Sequence, residues 1–161
     1  MTMADTGSEE GMATTGYHVG DFDRRPWGFW LAMDVNPGYC EKIIVVMPGQ
    51  ILSLQSHRLR HETWTVLDGT MLAIVDDKCV SLISGEKIDI TPGQPHAMAN
   101  PGNAPCILKE RQTGVCSEGD IIRYLDAYGR ITNASSEQVL KSANLYLAVL
   151  DQIKKKDKKY A

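Results

Sequence analysis

The chain has no apolar run that approaches the ~20 residues needed to cross a bilayer, so a helical membrane anchor is not expected. No two of its four cysteines, Cys40, Cys79, Cys106 and Cys116, are separated by only two residues, which argues against a zinc knuckle or a redox pair. Reduced thiols in a cytoplasmic protein are the expectation that follows. Basic runs are limited to Arg24-Arg25 and a lysine-rich end, and the formal net charge is −3, so no broad footprint for nucleic acid is present. Met1 to Gly16 carries acidic and small residues where a secretory leader needs a basic start and an apolar centre. A small-molecule partner is the class left standing.

With 161 residues, 43% of them apolar, the chain can bury one two-layer core without staples. Residues 1–16 are rich in Gly, Ser and Thr with no periodic pattern and are expected to form a tail. From Gly28 onward, short apolar or alternating runs are separated by turn signals such as Asn36-Pro37-Gly38, Pro48-Gly49, Asp68-Gly69, Ser84-Gly85 and Pro92-Gly93. The spacing predicts strands over 28–35, 40–46, 51–57, 62–68, 70–75, 78–83, 87–90, 96–100 and 106–112, with a short extra one over 121–124. That pattern is all-β, a sandwich or barrel filling residues 17–130. The β-branched run Ile43-Ile44-Val45-Val46 reads as a strand buried on both faces. Residues 131–161 change character: Ser135-Ser136-Glu137-Gln138 offers a capping box, and Val139, Ala143, Tyr146, Leu147, Leu150 and Ile153 follow at helical spacing. One amphipathic helix over 136–155, lying on the barrel or on a second subunit, is expected.

Only four histidines are present, His18, His57, His61 and His96. Residues two apart in a strand share a face, so Gln55 and His57 can offer an amide oxygen and an imidazole to one point inside a barrel. A turn over 58–61 would bring Glu62 beside them, and His96 follows a Pro-Gly turn farther on. Two nitrogens and two oxygens converging in this way suit a divalent cation, zinc first, with manganese, iron or nickel also compatible.

These two stretches resemble the paired motifs of the cupin superfamily. The first runs Gly49, five residues, Gln55, one residue, His57, four residues, Glu62, six residues, Gly69, with Gln55 in the place of the usual first histidine. The second runs Thr91, Pro92, Gly93, two residues, His96, three residues, Asn100, with Thr91 in the place of the usual proline. A narrower resemblance extends over roughly 25–130 and is carried by Arg25-Pro26-Trp27-Gly28, Leu52-Ser53-Leu54-Gln55, Arg60-x-Glu62-x-Trp64-x-Val66, Gly93-x-Pro95-His96 and Asp126-x-Tyr128-Gly129-Arg130. These are similar to the isomerase domain of type II phosphomannose isomerases, here standing alone, and Arg58-Leu59 replaces two of that family's three consecutive histidines.

The resemblance implies a cupin barrel, a double-stranded β-helix, carrying a C-terminal helix. It implies aldose–ketose isomerisation of a phosphorylated sugar, mannose 6-phosphate to fructose 6-phosphate, on a metal held by Gln55, His57, Glu62 and His96. Glu110 and His61 are the candidates for the base that moves the proton. Arg60, matched to the family's arginine, is a candidate catalytic and phosphate-binding residue, joined by Lys109 and Arg130. Two other readings remain open, an iron-dependent cupin dioxygenase and a non-catalytic cupin that binds a sugar or sugar nucleotide. A homodimer through an exposed strand edge near Trp27 is also expected.

Overall fold

A computed structural model describes residues 16–128 and 136–159. In chain order the strands are β1 (Phe22–Arg25), β2 (Gly28–Asn36), β3 (Tyr39–Val46), β4 (Gln50–Ile51), β5 (Leu54–His57), β6 (Arg60–Asp68), β7 (Thr70–Val75), β8 (Lys78–Ile83), β9 (Lys87–Ile90), β10 (His96–Asn100), β11 (Cys106–Gly114) and β12 (Ile121–Leu125), followed by helix α1 (Glu137–Lys159). Two antiparallel sheets form, β1-β2-β3-β11-β6-β9 and β12-β5-β10-β7-β8, with β4 added to β10. The all-β cupin architecture with a C-terminal helix is therefore present. Of the expected tail, only Gly16 is described, its N–H donating to the Cys116 carbonyl.

Alternation decides which side chains meet between the sheets. Ile44 and Val46 of β3, Trp64 and Val66 of β6, Met71, Ala73 and Val75 of β7, Met98 of β10 and Leu108 of β11 face one another there as the main core. The outer face of the second sheet is also covered: Ile51, Leu54, Ile74, Ala97, Ala99 and Leu125 pack under Ala143, Tyr146, Val149, Leu150 and Ile153 of α1. This explains why β10 is buried at every position and why its outward members are alanines, small enough to let the helix approach. Each large apolar side chain fully buried here contributes roughly 1.5–3 kcal/mol.

Three expectations change. Helix α1 packs on the other sheet and, among the described residues, no helix covers the outer face of β3, so Ile43 and Val45 are only half-buried and the strand alternates instead of being buried on both sides. In α1 Leu147 is exposed and Val149 takes its place in the packed face. The cap also differs: Ser135 lies outside the described residues, the Ser136 hydroxyl accepts the Val139 N–H at 3.2 Å, and the Gln138 side chain donates to Asp76 instead of reaching back. Glu137 in the first turn and Lys156, Lys158 and Lys159 in the last suit the helix dipole.

One glycine is required by close approach. Gly28 has φ of +144°, and a Cβ there would lie 1.9 Å from the Val45 carbonyl oxygen. The β1–β2 turn can thus cross tightly over β3, which sets Arg25, Pro26 and Trp27 at the wall of the barrel cavity.

Candidate metal centre

Strand parity brings three ligand-type side chains together inside the barrel. His57 at the end of β5, Glu62 near the start of β6 and His96 at the start of β10 are buried, and their ligand atoms all lie within 4.8 Å of one another. His57 Nε2 is 3.1 Å from Glu62 Oε1 and His96 Nε2 is 3.6 Å from Glu62 Oε2. The His96 ring packs edge-on against Trp64, with centroids 5.4 Å apart, and Trp64 Nε1 donates to Glu62 Oε2 at 3.0 Å and to Glu110 Oε2 at 3.2 Å. Trp64 is thus both a core residue and the prop for two carboxyl groups.

The donor set fits a divalent cation. His96 Nδ1 lies 2.8 Å from the Gln94 carbonyl oxygen, so the proton resides on Nδ1 and Nε2 presents its lone pair toward Glu62. That Nε2 atom is buried and has no hydrogen-bond partner among the described residues, a state that ligation would relieve. Burial pushes the His96 pKa down to about 4 against the upward pull of Glu62, which keeps the imidazole neutral and able to ligate at neutral pH. Burial also works to raise the Glu62 carboxyl. The His57 hydrogen bond and the surrounding positive charge, of which Arg60 is the permanent member, outweigh it and hold the pKa below the usual carboxylate range. Gln55 sits opposite His96 in the strand register and lines the cavity, its amide oxygen accepting from the Ser53 hydroxyl at 3.1 Å.

Arg60 is not a turn residue. β6 begins at Arg60, giving it the inward parity of Glu62, and it is buried. Its Nε donates to Glu62 Oε1 at 3.0 Å, its Nη1 to the Ser117 carbonyl at 2.9 Å, and its Nη2 lies 3.1 Å from His57 Nε2. The guanidinium therefore stands between the histidine–carboxylate cluster and a cavity of about 360 Å³, whose wall it shares with Arg25, Lys42, Gln55, Glu110, Gln112 and Arg123. Burial and the nearby Glu62 charge raise the pKa of Glu110, making it a candidate proton carrier in that wall.

Other expected site residues are placed elsewhere. His61 and Lys109 take the opposite strand parity from Glu62 and Glu110, so both leave the cavity. Lys109 pairs loosely with Glu41 at 4.0 Å on the outer side of the sheet. Arg130 lies outside the described residues. His18 is exposed beside Asp21. Conversely, Lys42 and Gln112, which sequence reasoning did not select, are buried and reach the cavity. The signal for both was parity: Lys42 alternates with Cys40 and Ile44, and Gln112 with Glu110.

Comparison with known proteins gives the fold and the family. Among solved structures, the capsular polysaccharide assembling protein CapF of Staphylococcus aureus superposes with a TM-score of 0.56 at 18% identity, covering 63% of this chain and 30% of that one. A cupin domain from Schizosaccharomyces pombe superposes with a TM-score of 0.52 at 10% identity, covering 53% and 64%. At those identities the likeness is one of fold. The mannose-1-phosphate guanylyltransferase of Escherichia coli is 39% identical over 108 residues, 66% of this chain and 23% of that protein. The alginate biosynthesis protein AlgA of Pseudomonas aeruginosa is 38% identical over 119 residues, 73% and 25%. The chain thus spans about a quarter of the length of these curated relatives.

These relatives correct the expected activity. Guanylyl transfer to mannose 1-phosphate is a different reaction from aldose–ketose isomerisation, so the isomerase expectation is withdrawn. Residues 13–126 match the family described as mannose-6-phosphate isomerase, C-terminal, and by that match over most of its length the chain belongs to this cupin family.

Proposed function

We propose that this chain is a metal-dependent sugar-phosphate-binding domain that serves guanylyl transfer to mannose 1-phosphate, holding the mannose phosphate in the barrel. The observation that carries the reading is one cavity with two features. Its wall contains the cationic side chains Arg25, Lys42, Arg60 and Arg123, and directly behind Arg60 lie His57, Glu62 and His96. A volume of about 360 Å³ suits a monosaccharide phosphate, and the cations complement its charge. The relatives named for mannose 1-phosphate guanylyl transfer supply the sugar.

In this reading His57, Glu62 and His96 hold a divalent ion, zinc first, with Gln55 adjacent to them. When bound, the ion supplies a Lewis-acid centre able to polarise an oxygen of the sugar phosphate. The side chains do the rest: Arg25 and Arg123 attract the phosphate at the mouth, Trp27 and Trp30 exclude water from the cavity, and the Glu110 carboxyl can hold a proton at its oxygen. The edge strand β1, with one side unpaired in its sheet, is the proposed surface for a homodimer. The free thiols Cys40, Cys79, Cys106 and Cys116 accord with a reducing cytoplasm.

Calorimetric titration of zinc-loaded protein with mannose 1-phosphate tests the proposal. Saturable binding of one ligand per chain is expected. Heats no larger than dilution would overturn it.

A further inference from the structure

We infer that Lys42, Glu110 and Gln112 form a hydroxyl-reading subsite on the inner wall of the barrel, which recognises the sugar ring of the ligand and not its phosphate. This rests on the sugar-phosphate reading above and assigns the two ends of that ligand to different residues.

Three observations carry it. Lys42 is an inward member of an otherwise apolar row, with a side chain 4% exposed. Its ammonium lies 3.6 Å from the Tyr17 ring centroid and 4.1 Å from that of Trp30, and among the described residues its polar contact is a long one, 3.5 Å to Glu118 Oε1. An ammonium carries three N–H donors, and a long carboxylate contact and two ring faces satisfy them less well than a hydroxyl oxygen does, so a ligand hydroxyl can claim one. Secondly, Glu110 is the register partner of Lys42 across β11 and β3, which sets carboxyl and ammonium on the same wall. Thirdly, Gln112 is wholly buried, donates from Nε2 to Glu110 Oε1 at 2.6 Å, and among the described residues has no partner for its Oε1. A buried amide oxygen left unpaired in the wall of a cavity marks a group whose partner can arrive with a ligand.

The chemistry selects hydroxyls. A sugar hydroxyl both donates and accepts, so neighbouring hydroxyls need an acceptor, here Gln112 Oε1, beside a donor, here Lys42. Phosphate needs donors only, and Gln112 Oε1 would repel it. The Lys42 charge is moreover already offset by Glu118 and by the two aromatic faces. Trp27 and Trp30 on the same cavity wall offer apolar surface to the C–H side of a pyranose ring.

The test compares mannose 1-phosphate with inorganic phosphate on the zinc-loaded chain, for the wild type, Gln112→Leu and Lys42→Met, with folding checked by circular dichroism. Each substitution is expected to weaken mannose 1-phosphate by about tenfold or more, the loss of one hydrogen bond to a polar or charged group. Gln112→Leu, which is charge-neutral, is expected to leave phosphate within about twofold, below what one lost hydrogen bond causes. Should the variants fail to fold, the Gln112 side-chain amide signals of the 15N-labelled wild type decide: they shift on saturation with mannose 1-phosphate and stay in place with phosphate. Undiminished mannose 1-phosphate affinity in Gln112→Leu, an equal loss of phosphate affinity, or unmoved amide signals would overturn the inference while leaving the sugar-phosphate reading intact. A wild type that does not bind mannose 1-phosphate refutes that reading, and this inference with it.

Discussion

His96 is oriented through Gln94: its Nδ1 lies 2.8 Å from the Gln94 carbonyl oxygen, which turns the bare Nε2 toward Glu62. Gln94 is itself tied down. Its side-chain amide donates to Asp76 Oδ2 at 2.6 Å, and the Asp76 N–H donates to the Pro95 carbonyl at 2.9 Å. Asp76, in the left-handed region with φ of 54°, is in turn gripped by Gln138 and Ser142 of α1. The helix therefore reaches the ligand cluster through one turn.

Breaking that turn loosens His96. Asp76→Ala removes both carboxylate acceptors and places a residue poorly suited to positive φ, so zinc affinity is expected to fall about 10- to 100-fold, as for other residues that support a ligand. Asp76→Asn, which tolerates the backbone and keeps one oxygen, is expected to lose less. Competition of each protein with a chromophoric chelator measures this, and wild-type affinity in Asp76→Ala would refute the link.

Glu62 links the histidines to Arg60, so Glu62→Gln acts twice. Metal loading is expected to disappear in equilibrium dialysis followed by elemental analysis. The metal-free protein is also expected to lose about 3–5 kcal/mol, because the Arg60 charge is left buried without its counter-ion. Denaturation by urea with the metal removed reads the second effect, and an unchanged midpoint would show that Arg60 finds another partner.

Arg60→Met tests the reverse. It strands the buried Glu62 charge in the metal-free state, so that state should be destabilised by about 3–5 kcal/mol. A divalent ion can then replace the missing positive charge, and the rise in melting temperature on adding zinc is expected to exceed that of the wild type. A smaller rise would mean that Arg60 assists metal binding instead of competing for the same lone pairs.

For Glu110, burial and the Glu62 charge raise the folded-state pKa above its unfolded value. Below the unfolded pKa the group is protonated in both states. As pH rises toward the raised pKa only the folded state keeps the proton, so stability conferred by the neutral form is lost through that window. Glu110→Gln removes this titration, and Gln112 can accommodate it by turning its unpaired oxygen toward the new amide. The variant's stability relative to wild type, measured on metal-free protein, is expected to improve as pH rises upward from the usual carboxylate range. A difference independent of pH would show that Glu110 is charged in the fold.

Much of the architecture was legible because strands with period-two alternation and Pro-Gly or Asp-Gly turns leave a clear trace. The cluster of His57, Glu62 and His96 followed from the same parity, together with spacing between motifs. What stayed hidden depended on where strands begin and which face they turn. Reading 58–61 as a turn kept Arg60 off β6, whose first residue it is, and so concealed that it lies buried against Glu62. Naming both Lys109 and Glu110 for the site overlooked that neighbours in a strand cannot face the same way. Lys42, within Glu41-Lys42-Ile43-Ile44, was not selected because nothing local announces the aromatic rings of Tyr17 and Trp30 that enclose it. Those contacts are long-range, and only the assembled barrel brings them together.

The most direct test of the account is where a divalent ion sits. Crystals of the zinc-loaded protein, with anomalous scattering recorded at the zinc edge, are expected to show one strong peak in contact with His57, Glu62 and His96. A stoichiometric ion held elsewhere, or no peak among these three side chains, would contradict the metal centre and the functional reading built on it.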